Sequence, residues 1–348
     1  MPDIRFNYFP LLASASHAKS WLTIQANLGL APNTIVAYGR SLEDFLSFCA
    51  RSCIEADTAS REHIASYIHD LTSRPRQLPK HNGRTSATIG FANATLQQRL
   101  TAIRLFYDYL MEEGLRETNP VGRGRYTPGK GFGRKRERGL IPRFHPLPWI
   151  PTDDEWRAVL DAAKDEPLRN RMMLALAYDA GLRREELCAL AVRDVDPAYR
   201  MIHIRAETTK NHLGRTVPYS GPTGQLYTAY LQHRRTLSRE RGLLFLSESR
   251  RNLAQPLTIW TWSKVVKGIA ERAGVTQFTT HTLRHLCLTD LARAGWDIHE
   301  IARFAGHRSV QTTLLYIHLS GRDLVAKVEH GMDAIHAWRA KTIAESLQ

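Results

Sequence analysis

Gly306-His307-Arg308-Ser309-Val310-Gln311-Thr312-Thr313-Leu314-Leu315-Tyr316-Ile317-His318 is the stretch from which the chain is best read. Its second half has the character of an apolar helix carrying a tyrosine, and taken alone such a tyrosine is core packing. Some twenty residues upstream, His281-Thr282-Leu283-Arg284-His285 places His281 and Arg284 three positions apart, hence neighbours on one helical face. Further upstream, Gly181-Leu182-Arg183-Arg184-Glu185-Glu186-Leu187 sets an arginine just after a helix stop with an acid three residues on. Taken alone, a surface ion pair between Arg183 and Glu186 is the better account of that spacing. Lys210 falls between two short strand patterns, 201–205 and 215–219, in a polar connection that reads as a hairpin, where an exposed loop lysine is the ordinary case.

Around these segments the second half of the chain is mostly helical. Thr152 precedes Asp153, Asp154 and Glu155, the pattern of a capped helix over 151–163. Residues 172–180 form an apolar helix closed by Gly181. In the tail, Met332, Ile335, Trp338 and Ile343 fall on one side of a final helix over 332–345. The first half is also helical. Asn33 suits an N-cap ahead of Ile35, Val36, Tyr38, Leu42, Phe45 and Leu46, and a second amphipathic run, Leu96, Leu100, Ile103, Phe106, Tyr107 and Leu110, stops at Gly114. The expected organisation is a helical domain over 1–120, a linker over 121–150, a second domain over 151–330 and a terminal helix over 331–348.

The 348 residues carry 48 Lys and Arg against 34 Asp and Glu, a net charge of +14, which points to a polyanionic partner. The charge is unevenly spread. Residues 1–120 hold 12 bases and 11 acids, whereas 121–150 hold 8 bases and 1 acid, so half the excess lies in 30 residues. That stretch also has six glycines and four prolines, a composition that cannot bury a core and reads as an extended basic strap able to neutralise phosphates. Its bases Arg123, Arg125, Lys130, Arg134, Lys135, Arg136 and Arg138 are the candidate backbone contacts.

Several other chemistries are disfavoured. Gly124 to Lys130 fits the spacing of a phosphate-binding loop, but Gly131 replaces the Ser or Thr, and no strand precedes it. His281, His285, His307 and His318 lack the glutamate of a zinc-helix motif, so no metal is expected. Cys49 and Cys53, on one helical face, read as free buried thiols, and four scattered cysteines suit a reduced compartment. No run of about 18 apolar residues occurs, and Asn7 and Pro10 interrupt the one stretch resembling a signal peptide.

Taken together, the dispersed residues supply one chemistry. Two guanidiniums can grip non-bridging phosphate oxygens, a tyrosine hydroxyl can attack phosphorus to form a covalent intermediate, and a lysine and a histidine can move the protons. Without a metal, the arginines would stabilise the transition-state charge themselves.

In these motifs the chain resembles the tyrosine recombinases, or phage integrases. The matching pieces are Ala180-Gly-Leu-Arg183-Arg-Glu-Glu186-Leu, Lys210 ahead of Val217-Pro218, His281-x-Leu-Arg284-His285, and Gly306-His307 through Tyr316-x-His318. Ala31-Pro-Asn-Thr with Tyr38, and Leu100 through Tyr107, resemble the family's helical core-binding domain. The resemblance implies a mainly α protein with a small antiparallel β-sheet: a SAM-like N-terminal domain and a catalytic domain forming a C-shaped clamp on double-stranded DNA. It implies site-specific cleavage and rejoining through a 3′-phosphotyrosyl link with neither metal nor ATP. Tyr316 would be the nucleophile, Arg183 and Arg284 the phosphate clamp, Lys210 the acid for the leaving 5′-oxygen, His281 a proton-transfer group at the tyrosine, and His307 a phosphate ligand. Glu186 would orient the arginine and lysine side, with His285 in support. It further implies a homo-tetramer on DNA joined through the C-terminal helix, with scope for accessory DNA-bending proteins, in the cytoplasm at the nucleoid. Two departures stand out: Ala305 where the family usually has Leu, and the long basic linker. The competing readings are a tyrosine-type topoisomerase, which would relax a plasmid lacking a recombination site, and a non-catalytic DNA-binding factor, which would have no need of Tyr316.

Overall fold

The structure, a computed structural model, describes residues 4–77, 87–122, 140–142, 144 and 147–319, together with 337 and 339. The chain divides into two compact units, Met1–His145 and Pro146–Gln348.

The first unit is helical: α1 (Pro10–Ser14), α2 (Ser16–Asn27), α3 (Pro32–Arg51), α4 (Arg61–Ser73) and α5 (Asn93–Glu112), with a two-stranded antiparallel ribbon of β1 (Pro75–Gln77) and β2 (Ala87–Ile89). Both expected amphipathic runs are helices, α3 and α5. Every one of Leu96, Leu100, Ile103, Phe106, Tyr107 and Leu110 is buried, against Trp21, Leu22, Leu42, Phe45 and Tyr67. Burial of such side chains contributes on the order of 2 kcal/mol each. Asp44 is tied into this core by the Tyr67 hydroxyl at 2.7 Å and by Arg74 and Arg99, so a carboxylate beside an apolar core keeps its charge compensated. Asn33 is not the N-cap: the helix begins at Pro32 with Ala31 ahead of it, because proline's fixed φ already suits the first turn. Val36 points to solvent, and Cys53 is exposed just beyond the end of α3 rather than buried.

The ends of the Gly/Pro-rich stretch are held by the units. Leu140 and Ile141 pack on the first core, where Asn93 Nδ2 and Gln97 Nε2 donate to the Pro142 carbonyl at 2.9 and 3.2 Å. Trp149 packs on the second core.

The second unit comprises α6 (Asp153–Ala163), α7 (Leu168–Asp179), α8 (Arg184–Cys188), β3 (Val195–Asp196), β4 (Met201–Ile204), β5 (Arg215–Pro218), α9 (Gly221–Leu237), α10 (Ile259–Arg272), α11 (Thr280–Arg293), α12 (Ile298–Ala305) and α13 (Val310–Leu319). Thr152 and Glu155 cap α6 reciprocally, as the sequence pattern requires. The antiparallel sheet runs in the order β3-β4-β5, with Ile202 opposite both Val195 and Val217. Its alternation sends Ile202, Ile204 and Val217 inward. Strand β3 escaped sequence reading because two residues carry no period. Most of the expected terminal helix lies outside the described residues; Ala337 and Arg339 are helical. No described helix is long and apolar enough to cross a membrane.

Candidate active site

Two glycine turns aim the site. After α7, Gly181 adopts φ +54°, and a Cβ there would come within 3.1 Å of Phe304 Cε1. After α12, Gly306 adopts φ +63°, and a Cβ there would lie 2.9 Å from Arg215 Nη1. Both positions combine left-handed backbone with close approach, which selects glycine. The first turn delivers Arg183 at the start of α8. The second delivers His307 ahead of α13.

Three arginines and one carboxylate fill the space between these turns. Glu186, 1% exposed, accepts from Arg183 Nη1 at 2.8 Å, from the Arg183 backbone N–H at 3.0 Å, and from Arg215 Nη1 and Nη2 at 3.1 and 2.7 Å. Burial pushes the Glu186 carboxyl up, but hydrogen bonds and charge from Arg215, reinforced by Arg183, override it and bring it down to about 2. Arg215 Nε also donates to the Phe304 carbonyl at 2.8 Å. Arg183 Nη2 reaches the Gly306 carbonyl at 3.5 Å.

Arg284 is different. It is 4% exposed and donates only to neutral groups: the Gly181 carbonyl at 2.5 Å, the Ala305 carbonyl at 2.6 Å and His307 Nε2 at 3.0 Å. Among the described residues it has no ion-pair partner. Burial, then repulsion from Arg183, lowers its guanidinium to about 10. Three guanidiniums against one carboxylate leave a desolvated excess of positive charge, which an anion would relieve.

Tyr316 borders that excess. It is 3% exposed, yet its hydroxyl lies 3.0 Å from His285 Nδ1, and its ring stacks on His307 with centroids 6.0 Å apart and planes 9° from parallel. Burial raises the phenol above its ordinary value, while Arg284 and Arg183 draw it back. Burial likewise lowers His285 to about 4 and His307 to about 3, helped by Arg284 in both cases, so both rings are neutral near pH 7.

Arg183, Glu186, Arg284, His285, His307 and Tyr316 are thus brought together. Two of the predicted residues stand apart from their contacts. Lys210 lies exposed in the β4–β5 connection and, among the described residues, its side chain makes no hydrogen bond or ion pair. His281 is exposed at the start of α11, and partial desolvation with the neighbouring arginines lowers it despite Glu185. The imidazole against the Tyr316 hydroxyl is that of His285, one turn along α11 from the expected His281. Glu186 orients Arg183 and a second arginine, Arg215, with no contact to Lys210. Arg215 was read only as the start of a strand, and Thr313, 2.9 Å from His307 Nδ1, only as part of a motif. The signal for Arg215 was a charged residue on a strand whose neighbours alternate inward. Arg123, Arg125, Lys130, Arg134, Lys135, Arg136 and Arg138 lie outside the described residues, as does the side chain of His318. Among the described residues no group of three or more His, Cys, Asp or Glu side chains could hold a metal ion.

A buried tyrosine hydroxyl beside three arginines that share one carboxylate is the class of site that can transfer phosphoryl groups through a covalent aromatic ester. The sequence narrows that class. Residues 151–322 match the phage integrase family, and residues 19–114 match the phage integrase N-terminal SAM-like domain. The chain is 30% identical over 311 residues to tyrosine recombinase XerD of Caulobacter vibrioides, covering 86% of this chain and 90% of that protein. It is 29% identical over 307 residues to tyrosine recombinase XerC of Herpetosiphon aurantiacus, covering 86% and 89%. In fold it is similar to the integrase of transposon Tn1549, solved in complex with a circular-intermediate DNA, with a TM-score of 0.63, 16% identity, and coverage of 88% of this chain and 93% of that one. The chain belongs to the phage integrase family of tyrosine recombinases, and it is a DNA strand-transferring enzyme of the site-specific recombinase type.

Proposed function

We propose that the protein binds double-stranded DNA and cleaves it at specific sites through the hydroxyl of Tyr316. Arg183 and Arg284 hold the non-bridging oxygens of the scissile phosphate, with Glu186 and Arg215 fixing the orientation of Arg183. The Tyr316 oxygen attacks phosphorus as its proton passes to a histidine on α11. The bond to the 5′-oxygen breaks, and that oxygen takes a proton from Lys210, carried in on the β4–β5 connection. The product is a 3′-phosphotyrosyl ester and a free 5′-hydroxyl, and attack by the 5′-hydroxyl of a partner strand reverses the steps. The ester retains the phosphodiester's energy, so the sequence of steps is self-contained. His307 hydrogen-bonds a phosphate oxygen.

The observation that carries this reading is Arg284, a buried guanidinium with neutral partners only, next to a tyrosine hydroxyl. Arg234, equally buried, also donates to backbone carbonyls alone, so it is the place of Arg284 that matters: beside Arg183, Arg215 and the Tyr316 hydroxyl, where positive charge exceeds the one carboxylate present. The wider arrangement we propose is a homo-tetramer on two DNA sites, each chain clamped on a duplex, the basic 121–150 segment tracking the backbone and the C-terminal helix docking on a neighbour. DNA-bending proteins assist assembly, and the enzyme acts in the cytoplasm at the nucleoid.

A nicked suicide substrate carrying the recombination site tests the chemistry. The wild-type chain should form a denaturant-resistant protein–DNA adduct, while Tyr316→Phe should bind the same DNA and form none. An adduct that persists in Tyr316→Phe refutes the assignment.

A further inference from the structure

His307 is held at both ring nitrogens. Arg284 Nη2 stands 3.0 Å from Nε2, and Thr313 Oγ1 stands 2.9 Å from Nδ1. A guanidinium nitrogen can only donate, so Nε2 accepts and carries no proton. The neutral ring therefore bears its proton on Nδ1 and donates it to the Thr313 hydroxyl. That is the wrong tautomer for a phosphate ligand, because phosphate oxygens accept and His307 must offer them an Nε2–H.

Thr313 has the chemistry to serve both tautomers, since a hydroxyl accepts or donates by rotating about one bond. It is fully buried, while its neighbour Thr312 is exposed. It lies three residues before Tyr316 on α13, so the residue that touches His307 rides on the helix of the nucleophile.

We propose that Thr313 is a positioning residue for strand transfer, which reverses its hydrogen bond to His307 and so presents Nε2–H to the scissile phosphate. As Arg284 Nη2 turns toward the phosphate oxygens, Nε2 is released. The ring gives up its Nδ1 proton to solvent water and takes one from water at Nε2, so its net charge is unchanged. The Thr313 hydroxyl then donates to Nδ1 and holds that tautomer. The inference rests on the reading of His307 as a phosphate ligand.

Two substitutions separate hydrogen bonding from packing, because they change them in opposite senses. Thr313→Val keeps the shape and removes the hydroxyl, while Thr313→Ser keeps the hydroxyl and removes a methyl group. Both are measured for affinity to an uncut site and for adduct formation on the nicked substrate. Thr313→Val should bind as wild type and form adduct about 10- to 100-fold more slowly, the range for losing one buried hydrogen-bond partner, whereas Thr313→Ser should stay close to the wild-type rate. A valine variant as fast as the serine variant, or faster, overturns the inference while leaving the recombinase chemistry standing. A wild-type chain that forms no adduct removes the underlying reading, and this inference with it.

Discussion

The Tyr316 hydroxyl and His285 Nδ1, 3.0 Å apart, join α13 to α11, the helix that carries Arg284. His285 is neutral near pH 7, so one ring nitrogen is unprotonated, and in the tautomer with its proton on Nε2 the Tyr316 hydroxyl donates to Nδ1. Replacing His285 by Ala strands a buried hydroxyl, so stability should fall by about 1–2 kcal/mol in denaturant unfolding. Adduct formation should slow by about tenfold or more, with DNA affinity unchanged. His281→Ala removes an exposed ring and should leave stability within about 0.5 kcal/mol of wild type. Were His285→Ala as fast as wild type, the proton of Tyr316 would leave by a route other than His285.

The Arg215–Glu186 pair predicts a residue essential to the architecture that does not touch the phosphate. Arg215→Ala leaves Glu186 with Arg183 alone and frees the Phe304 carbonyl. Removing one partner of so buried a pair costs about 3 kcal/mol. Gly306→Ala attacks the same contact from the other side, by left-handed strain and by pressing a methyl on the Arg215 side chain, and should cost about 1–2 kcal/mol. Urea unfolding of the two single variants and the double checks this. Because the sites touch, the double should cost less than the sum.

Acid should loosen the catalytic unit well above the usual carboxylate range. His285 and His307 sit at about 4 and about 3 against an ordinary 6.5, and Glu186 at about 2 against 4.5. With a depressed folded-state value, the unfolded chain takes the proton first as pH falls. The histidine contribution is therefore complete above about 6.5 and is lost between there and about 3, followed by that of Glu186 from about 4.5 down to about 2. Near pH 5, unfolding should take up close to two protons on these histidines. A His285→Gln, His307→Gln double variant should show a correspondingly flatter dependence of melting temperature on pH between about 6.5 and 4. A slope equal to wild type would mean that neither ring is neutral in the fold.

What could be read from the chain alone was what lies in short motifs or regular periods. The α5 run was legible because six apolar residues follow a 3.6-residue period, and all six are buried. Arg183, Arg284, His307 and Tyr316 were legible because each sits in a motif with its neighbours. The exchange of His281 for His285 at the phenol was not, since both lie on one helix and only the packing of α13 against α11 selects between them. Arg215 and Thr313 were equally silent. Their importance lies in contacts to Glu186 and His307, 29 and 6 residues away, which no local pattern records. Asn33 failed for a physical reason also visible in sequence, the proline before it.

The basic segment sets the last expectation. Arg134, Lys135, Arg136 and Arg138 stand within five residues, and each phosphate neutralised by such a base releases condensed counterions. Changing all four to Gln should lower the slope of log affinity against log salt by about 3–4, at roughly 0.9 for each phosphate left unneutralised. The weakening should be nearly the same on the recombination site and on unrelated duplex, because phosphates carry no base identity. Titrating both DNAs with salt checks it. A weakening confined to the specific site would mean that these basic side chains read bases, and the segment would then lie in a groove instead of along the backbone.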